Sequence, residues 1–244
     1  MNNTNKYFDK QPIQKFLLNP NKSFKIIKLK YLEKEKKCIK ELNVKNSLFN
    51  YFGLLDALNF NNIKDFFSNL DNNVFNCQII TRLIKKLAKQ VCSCYKKKAL
   101  WLKIESSTPN NKFDMVRWHY DGNYYKIYDD MIQTKFITTL KGPGTLLIEP
   151  NQQLRQKFEE IFFNMDMTIT ADTIRKQVRE LLKNNTKKQL KNNEGTIFIT
   201  ANKLYNKFAI HSEPPINEDR IFLSIMVGTE EQIEELKQKF NKKN

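Results

Sequence analysis

Residues 98–228 are divided into short β-prone segments, and this feature constrains the fold more than any other. The segments are rich in β-branched and aromatic residues, and turn signals such as Gly142-Pro143-Gly144 separate them. We predict strands over residues 100–104, 115–120, 135–140, 145–149, 195–200, 208–211 and 220–225. Short strands at this spacing are typical of an antiparallel barrel or sandwich.

Helical patterns flank and interrupt the predicted strands. In the clearest one, apolar residues recur at three- and four-residue intervals: Ile79, Leu83, Ile84, Leu87 and Val91. Residues 1–45 are expected to form a polar lead-in, and residues 47–98 to be helical. The fold class expected is α+β, with one structural domain. It comprises a mainly helical N-terminal extension (1–97) packing on the core, a core (98–228) with a helical insert (151–190), and a C-terminal helix (229–244).

The chain is strongly basic, with 42 Lys and Arg against 26 Asp and Glu and a net charge of +16. Such an excess can steer a protein toward nucleic acid, anionic membranes or acidic substrates. The excess is spread over the whole chain, and the lysines occur with many Asn, Ile, Phe and Tyr residues. We therefore favour codon bias in an AT-rich genome, with a functional basic face as the alternative.

The N-terminal sequence lacks a secretory pattern, and no apolar run approaches the ~18 residues that a membrane helix needs. The four cysteines show no framework spacing for a small disulfide-rich fold; they are Cys38, Cys77, Cys92 and Cys94. We expect reduced thiols in a cytoplasmic protein without a membrane partner.

The chain contains only two histidines, and an acidic residue follows the first of them at a spacing of two. Side chains alternate on an extended strand, so His119 and Asp121 are expected to point the same way. His211 lies at the end of another predicted strand. Two histidines and one carboxylate can form a facial triad that leaves three metal positions open for a cosubstrate and dioxygen.

A fourth residue strengthens the pattern. Arg220 lies nine residues after His211 and opens the next predicted strand. A guanidinium there can hold the far carboxylate of a dicarboxylic cosubstrate through two parallel hydrogen bonds. The alternative is a structural salt bridge from Arg220 to Asp219 or Glu218.

This pattern of His-x-Asp, a distant His and an Arg nine residues later resembles the Fe(II)/2-oxoglutarate-dependent oxygenases over about residues 98–228. The resemblance implies a double-stranded β-helix, or jelly-roll, core with flanking helices. The turns at Gly142-Pro143-Gly144-Thr145 and at the His211-x-x-Pro-Pro segment look most like an uncharacterised bacterial domain family.

Carried over by position, the resemblance makes His119, Asp121 and His211 ligands of Fe(II), and Arg220 the anchor of 2-oxoglutarate. Plant-type members of the superfamily place Ser two residues after the arginine, where this chain has Phe222. The candidates for a second contact to the cosubstrate are Ser224, Tyr124 and Thr138. Arg117 and Tyr125 are candidates for substrate contacts, and a structural salt bridge is an equally good explanation of Arg117.

The resemblance also implies the reaction, which is a hydroxylation that consumes O2 and releases succinate and CO2. A small molecule or amino acid is the substrate we expect first, a protein side chain second and nucleic acid third. The alternatives are a protein or nucleic-acid hydroxylase or demethylase on the same fold, and a jelly-roll binding protein without catalytic activity.

Overall fold

A computed structural model describes residues 6–18, 21–109, 116–125, 132–163, 170–201 and 207–242 of the chain. The helices in these ranges are α1 (Gln11–Leu18), α2 (Glu33–Glu41), α3 (Phe60–Leu70), α4 (Val74–Tyr95), α5 (Gln152–Phe163), α6 (Ala171–Leu181) and α7 (Glu230–Asn241). The strands are β1 (Phe24–Lys28), β2 (Ser47–Leu54), β3 (Ala99–Ser107), β4 (Gln133–Lys141), β5 (Leu146–Ile148), β6 (Lys188–Gln189), β7 (Glu194–Ala201), β8 (Ile210–Ser212) and β9 (Arg220–Gly228).

The strands form two antiparallel sheets. The larger sheet has six strands in the order β1-β7-β4-β9-β3-β2, and the smaller has three in the order β6-β5-β8. The sheets pack on each other, since Leu147 of the small sheet lies in one buried cluster with Ile137 and Phe198 of the large sheet. Two layers of sheet with a shared interior are what alternating short strands favour.

Helices cover the other face of the large sheet. Phe136 of β4 is fully buried on this face and stacks on Phe8, with ring centroids 6.1 Å apart. The longest helix there is α4, whose first turn is capped by the side chain of Asn73. Its apolar stripe includes Leu83 and Leu87, and both side chains are buried. The helical layer therefore closes one side of the large sheet and leaves its other face for the site.

The insert forms its own layer beside the small sheet. Helices α5 and α6 contribute Phe158 and Val178 to a buried cluster that also contains Trp118 and Phe208. Trp118 directly precedes His119, so this cluster fixes the segment that carries the first histidine.

The observed fold is a mixed α and β structure with an antiparallel core, as the sequence predicts. The first 97 residues are less helical than expected, because β1 and β2 form the two edges of the large sheet. The prediction of helix at residues 47–54 is wrong: aromatic residues in β2 pair across to β3 along the full strand. In the predicted strand at 115–120, residue 115 lies outside the described residues and only His119 forms a β-bridge.

The four cysteines are buried and unpaired. Among the described residues, no helix combines the length and the apolar character that crossing a membrane requires.

Candidate active site

Backbone pairing brings the two histidines together. His119 and His211 form an antiparallel bridge in which each N–H donates to the other residue's carbonyl oxygen at 2.9 Å. Directly opposed residues project their side chains from the same face. The two imidazole ring centroids are accordingly 4.3 Å apart, although 91 residues separate the two positions in the chain.

Asp121 completes a cluster of three possible metal ligands. Its Oδ1 atom lies 3.4 Å from Nε2 of His211 and 3.7 Å from Nε2 of His119. One ligand atom from each residue lies within 4.8 Å of the others. Bonds of about 2.0–2.2 Å to a metal, at right angles, would place neighbouring ligand atoms roughly 3 Å apart. Small side-chain movements would bring the three atoms to that spacing.

Backbone carbonyls orient both imidazoles. Nδ1 of His119 lies 2.9 Å from the Arg117 carbonyl oxygen, and Nδ1 of His211 lies 3.3 Å from that of Ala209. When Nδ1 donates to these carbonyls, Nε2 is the nitrogen of each ring that faces Asp121 and can bind a metal. Metal-binding histidines are commonly fixed in this way. Desolvation, together with the nearby His211, lowers the pKa of His119 to about 4, so this imidazole is neutral at pH 7.

Lys135 of β4 holds the other oxygen of Asp121. Its ammonium lies 3.0 Å from Oδ2 of Asp121 and donates to the Tyr124 hydroxyl at 2.9 Å. Burial alone would raise the pKa of Asp121, but Lys135 and the two histidines hold it well below its usual range. The carboxylate is therefore ionised, and its Oδ1 atom is the one that remains turned toward the histidines.

Arg220 is a buried guanidinium at the start of β9, with 1% of its surface exposed. Its Nε donates to the Pro143 carbonyl oxygen at 3.0 Å, and an Nη lies 3.5 Å from the Thr145 hydroxyl. Burial lowers the pKa of Arg220, and the carboxylates of Glu213 and Glu105 oppose that shift. Within the described ranges, no carboxylate oxygen lies within 4.0 Å of this guanidinium. The alternative salt bridge from Arg220 to Asp219 or Glu218 is not formed among the described residues, and Asp219 lies 3.9 Å from Nζ of Lys141 instead.

Two glycines place the turn that supports Arg220. Gly142 has a φ of +82°, which side chains disfavour, and a Cβ there would overlap the Asp219 carbonyl oxygen. A Cβ on Gly144 would overlap the Leu190 carbonyl oxygen. Only glycine therefore allows the turn to approach both segments and to present Pro143 to Arg220.

The cluster and Arg220 line one cavity of about 400 Å³ between the two sheets, which we call the inner cavity. Its walls also carry Lys135, Tyr124 and Thr145. The metal ligands and the guanidinium thus face a common space of the size that small cosubstrates occupy.

A second cavity of about 530 Å³ is also lined by His119, and we call it the outer cavity. Its lining residues are Arg117, Trp118, His119, Phe162, Ala171, Ile174, Arg175, Val178 and Glu213. His119 and Glu213 line both cavities. Arg117, which lines the outer cavity, donates to Glu213 at 2.7 Å.

The structure brings some of the candidate contact residues to the site and not others. Tyr124 lines the inner cavity, and Arg117 lines the outer one. Ser224 lies on the cavity side of β9, since it is paired with Ile137 of β4, but its hydroxyl is fully buried. This oxygen has no hydrogen-bond partner among the described residues.

Two candidates point elsewhere. Thr138 shares the helix-covered face of β4 with Phe136, and its hydroxyl donates to the Glu194 carbonyl oxygen at 2.9 Å. Tyr125 is buried in a cluster with Trp101 and Met226 of the large sheet and lines neither cavity, although Trp101 of this cluster lines the inner one. Side chains three positions apart on a strand face opposite sides, so Thr138 and Lys135 cannot both face the inner cavity.

Comparison with protein-family models and with curated proteins finds no match for this sequence, so the narrower resemblance to a bacterial domain family is not confirmed. Solved structures do resemble it. The Kdo hydroxylase KdoO, a non-heme Fe(II) alphaketoglutarate-dependent dioxygenase in complex with cobalt(II), matches with a TM-score of 0.50 and 10% identity. The match covers 91% of this chain and 85% of that one.

Two further structures match with lower scores. A prolyl-4-hydroxylase from Pseudomonas putida has a TM-score of 0.41 and 9% identity, over 89% of this chain and 97% of that chain. A viral collagen prolyl hydroxylase from Paramecium Bursaria Chlorella virus-1, in its 2OG complex, has a TM-score of 0.38 and 15% identity, over 85% and 97%. At such identities the likeness to KdoO shows a shared fold alone, so the function has to rest on the site.

Proposed function

We propose that this chain is a non-haem iron dioxygenase that uses 2-oxoglutarate and O2 to hydroxylate a small molecule or amino acid. The main observation behind the proposal is that a His-Asp-His cluster and the buried guanidinium of Arg220 line the same cavity. This guanidinium has no ion-pair partner among the described residues. Either feature alone has structural explanations. Together they supply a site for the metal and a site for the carboxylate of the cosubstrate.

The ligand set suits iron(II). His119, Asp121 and His211 would hold the metal through two imidazole nitrogens and one carboxylate oxygen, the donor set of a facial triad with open positions. When bound with 2-oxoglutarate and O2, the iron supplies the oxidation of a C–H bond with release of succinate and CO2. The ammonium of Lys135 lies 3.0 Å from Oδ2 of Asp121, so this carboxylate would bind a metal through Oδ1 alone. The other metal coordination positions would then be available to the cosubstrate and O2.

Arg220 would bind the C5 carboxylate of 2-oxoglutarate. A buried charge without a partner is costly, and a dicarboxylate in the inner cavity would relieve that cost. The contacts to Pro143 and Thr145 fix the guanidinium plane, so it is already oriented for a two-point interaction. The unpartnered hydroxyl of Ser224 and the hydroxyl of Tyr124 are the proposed additional polar contacts in this region.

We further propose that the two packed sheets form a double-stranded β-helix. In support, the large and small sheets enclose the site between them, and KdoO shares the fold. The outer cavity is the proposed place for the substrate, since His119 lines it as well as the inner cavity, whereas Arg220 lines the inner cavity alone.

Anaerobic calorimetry tests the binding half of the proposal. Iron(II) should bind once per chain, and 2-oxoglutarate should bind more tightly after iron than before it. Asp121→Ala should abolish iron binding, whereas Asp65→Ala, which removes an exposed carboxylate from α3, should leave it intact. A parent protein that binds neither iron nor 2-oxoglutarate would favour the non-catalytic alternative.

A further inference from the structure

The apolar part of the outer-cavity wall comes mainly from the helical insert. Phe162 of α5 and Ile174 and Val178 of α6 line the cavity together with Trp118. All four side chains belong to one apolar cluster, in which Trp118 and Val178 are buried and Phe162 and Ile174 are partly buried. The cavity therefore continues the apolar interior of the insert. Its volume of about 530 Å³ lies within the range of pockets that enclose small ligands.

Each charged residue that lines the outer cavity already has an ion-pair partner. Arg117 and Glu213 pair with each other at 2.7 Å. Arg175 of α6 pairs with Asp172 at 2.9 Å. An ionised ligand would lose hydration on entering the cavity, and it could gain an opposite charge only by breaking one of these pairs. The cavity therefore favours an uncharged ligand over a carboxylate or an ammonium of the same size.

The outer cavity also reaches the candidate metal cluster. Of the three possible metal ligands, His119 is the one that lines this cavity. Its side chain is 44% exposed, whereas those of Asp121 and His211 are 8% exposed. Arg220 lines the inner cavity and not the outer one. A molecule in the outer cavity therefore contacts a metal-binding imidazole while the space beside Arg220 stays available to the cosubstrate.

We propose that the substrate of this site is an uncharged small molecule with an apolar body, which packs on Trp118, Phe162 and Ile174. This inference rests on the proposed dioxygenase function and names its substrate class. It selects a neutral molecule rather than an amino acid, since an amino acid carries both an ammonium and a carboxylate. One oxygen atom of O2 enters a C–H bond of the substrate to give an alcohol. The other enters succinate as 2-oxoglutarate loses CO2.

Calorimetry on the zinc-loaded protein with saturating 2-oxoglutarate tests the substrate class without turnover. The probes are 1-butanol, 1-hexanol and 1-octanol, with hexanoate and hexylamine as the charged analogues of hexanol. The affinity of the alcohols should rise by about fourfold for each added CH2 group, and neither ion should bind more tightly than hexanol. The proposal is overturned if no alcohol binds, if affinity does not increase with chain length, or if hexanoate or hexylamine binds more tightly than hexanol.

A variant of α6 assigns the binding to the outer cavity, because apolar residues line the inner cavity as well. Ile174→Ala removes part of the outer wall and should weaken hexanol binding by about fivefold. Ile161→Ala is the matched control and should leave the affinity unchanged, since Ile161 is partly buried in the same cluster but does not line the cavity. Equal hexanol affinity in Ile174→Ala and the parent would contradict the assignment. Hexanol binding that depends on Ile174, in a protein that forms no succinate, would refute the dioxygenase function while supporting the apolar binding site.

Discussion

Replacing Arg220 by lysine separates the charge of this residue from its geometry. Arg220 is buried, with 1% of its surface exposed, and its Nε donates to the Pro143 carbonyl oxygen at 3.0 Å. The central carbon of the guanidinium lies 4.8 Å from the centroid of the Phe222 ring. Lysine keeps the positive charge but loses the planar fork that matches a carboxylate at two points. The substitution therefore removes at least one charge-assisted hydrogen bond to 2-oxoglutarate.

The expected magnitude follows from that bond. A hydrogen bond to a charged group contributes about 1.5–3 kcal/mol, which corresponds to roughly a 10- to 100-fold change in affinity. The KM for 2-oxoglutarate in Arg220→Lys should rise by about that factor. Arg220→Ala should raise it further, because the cosubstrate carboxylate then lies in the cavity without a cation.

The assay is succinate formation at varied 2-oxoglutarate, together with calorimetric iron binding. Iron affinity should stay unchanged in both variants, since Arg220 contacts none of the three candidate ligands. Arg82→Lys, an exposed position on α4, is the matched control. A parent-like KM in Arg220→Ala would refute the assignment and make Lys135 the next candidate; Lys126, the other basic residue near this strand, lies outside the described residues.

Further consequences concern the buried lysine, the core and the basic surface. Lys135→Met removes the 3.0 Å contact to Asp121 and leaves a buried carboxylate without a cation. The metal-free variant should therefore lose about 3 kcal/mol of unfolding free energy, measured by urea denaturation, and bound zinc should restore part of that loss. An equal loss with and without zinc would contradict the role of Lys135 as the partner of Asp121. Phe136→Ala should lower the unfolding free energy by about 3–5 kcal/mol in urea denaturation, since the ring is fully buried and stacks on Phe8. A decrease below ~1 kcal/mol would show that the ring is not part of the core. If the +16 charge reflects codon bias, affinity for single-stranded DNA in a filter-binding titration should disappear by about 0.2 M salt, and persistence there would favour a functional basic face.

The sequence predicts the proximity of His119, Asp121 and His211, which the structure brings within 4.8 Å of one another, because the pattern that reveals them is short. The two-residue spacing of His119 and Asp121 needs only strand alternation, and Arg220 opens a strand that follows His211 closely. Seven β-prone segments likewise predict an antiparallel core. The mutual backbone bridge between His119 and His211 then brings the distant ligand to the pair.

Other features depend on contacts that local patterns do not encode. Lys135 reaches Asp121 from a different strand, and Arg175 reaches the site from the insert; neither residue is distinguished in sequence from the many other basic residues. The edge strand β2 is misread as helix because its alternation is weak, and its pairing with β3 is decided by tertiary contacts. Thr138 has a hydroxyl that could bind a cosubstrate, but its position in β4 turns the side chain to the helix-covered face of the sheet.

The most direct test of the dioxygenase function is the conversion of 2-oxoglutarate to succinate by purified protein supplied with iron(II) and O2. We expect succinate and CO2 in equal amounts, with no succinate under argon, after chelation of iron, or in His211→Ala. Succinate formation that His211→Ala and chelation leave unchanged would contradict the account, as would a parent protein that binds iron and 2-oxoglutarate yet forms no succinate with any substrate of the proposed class.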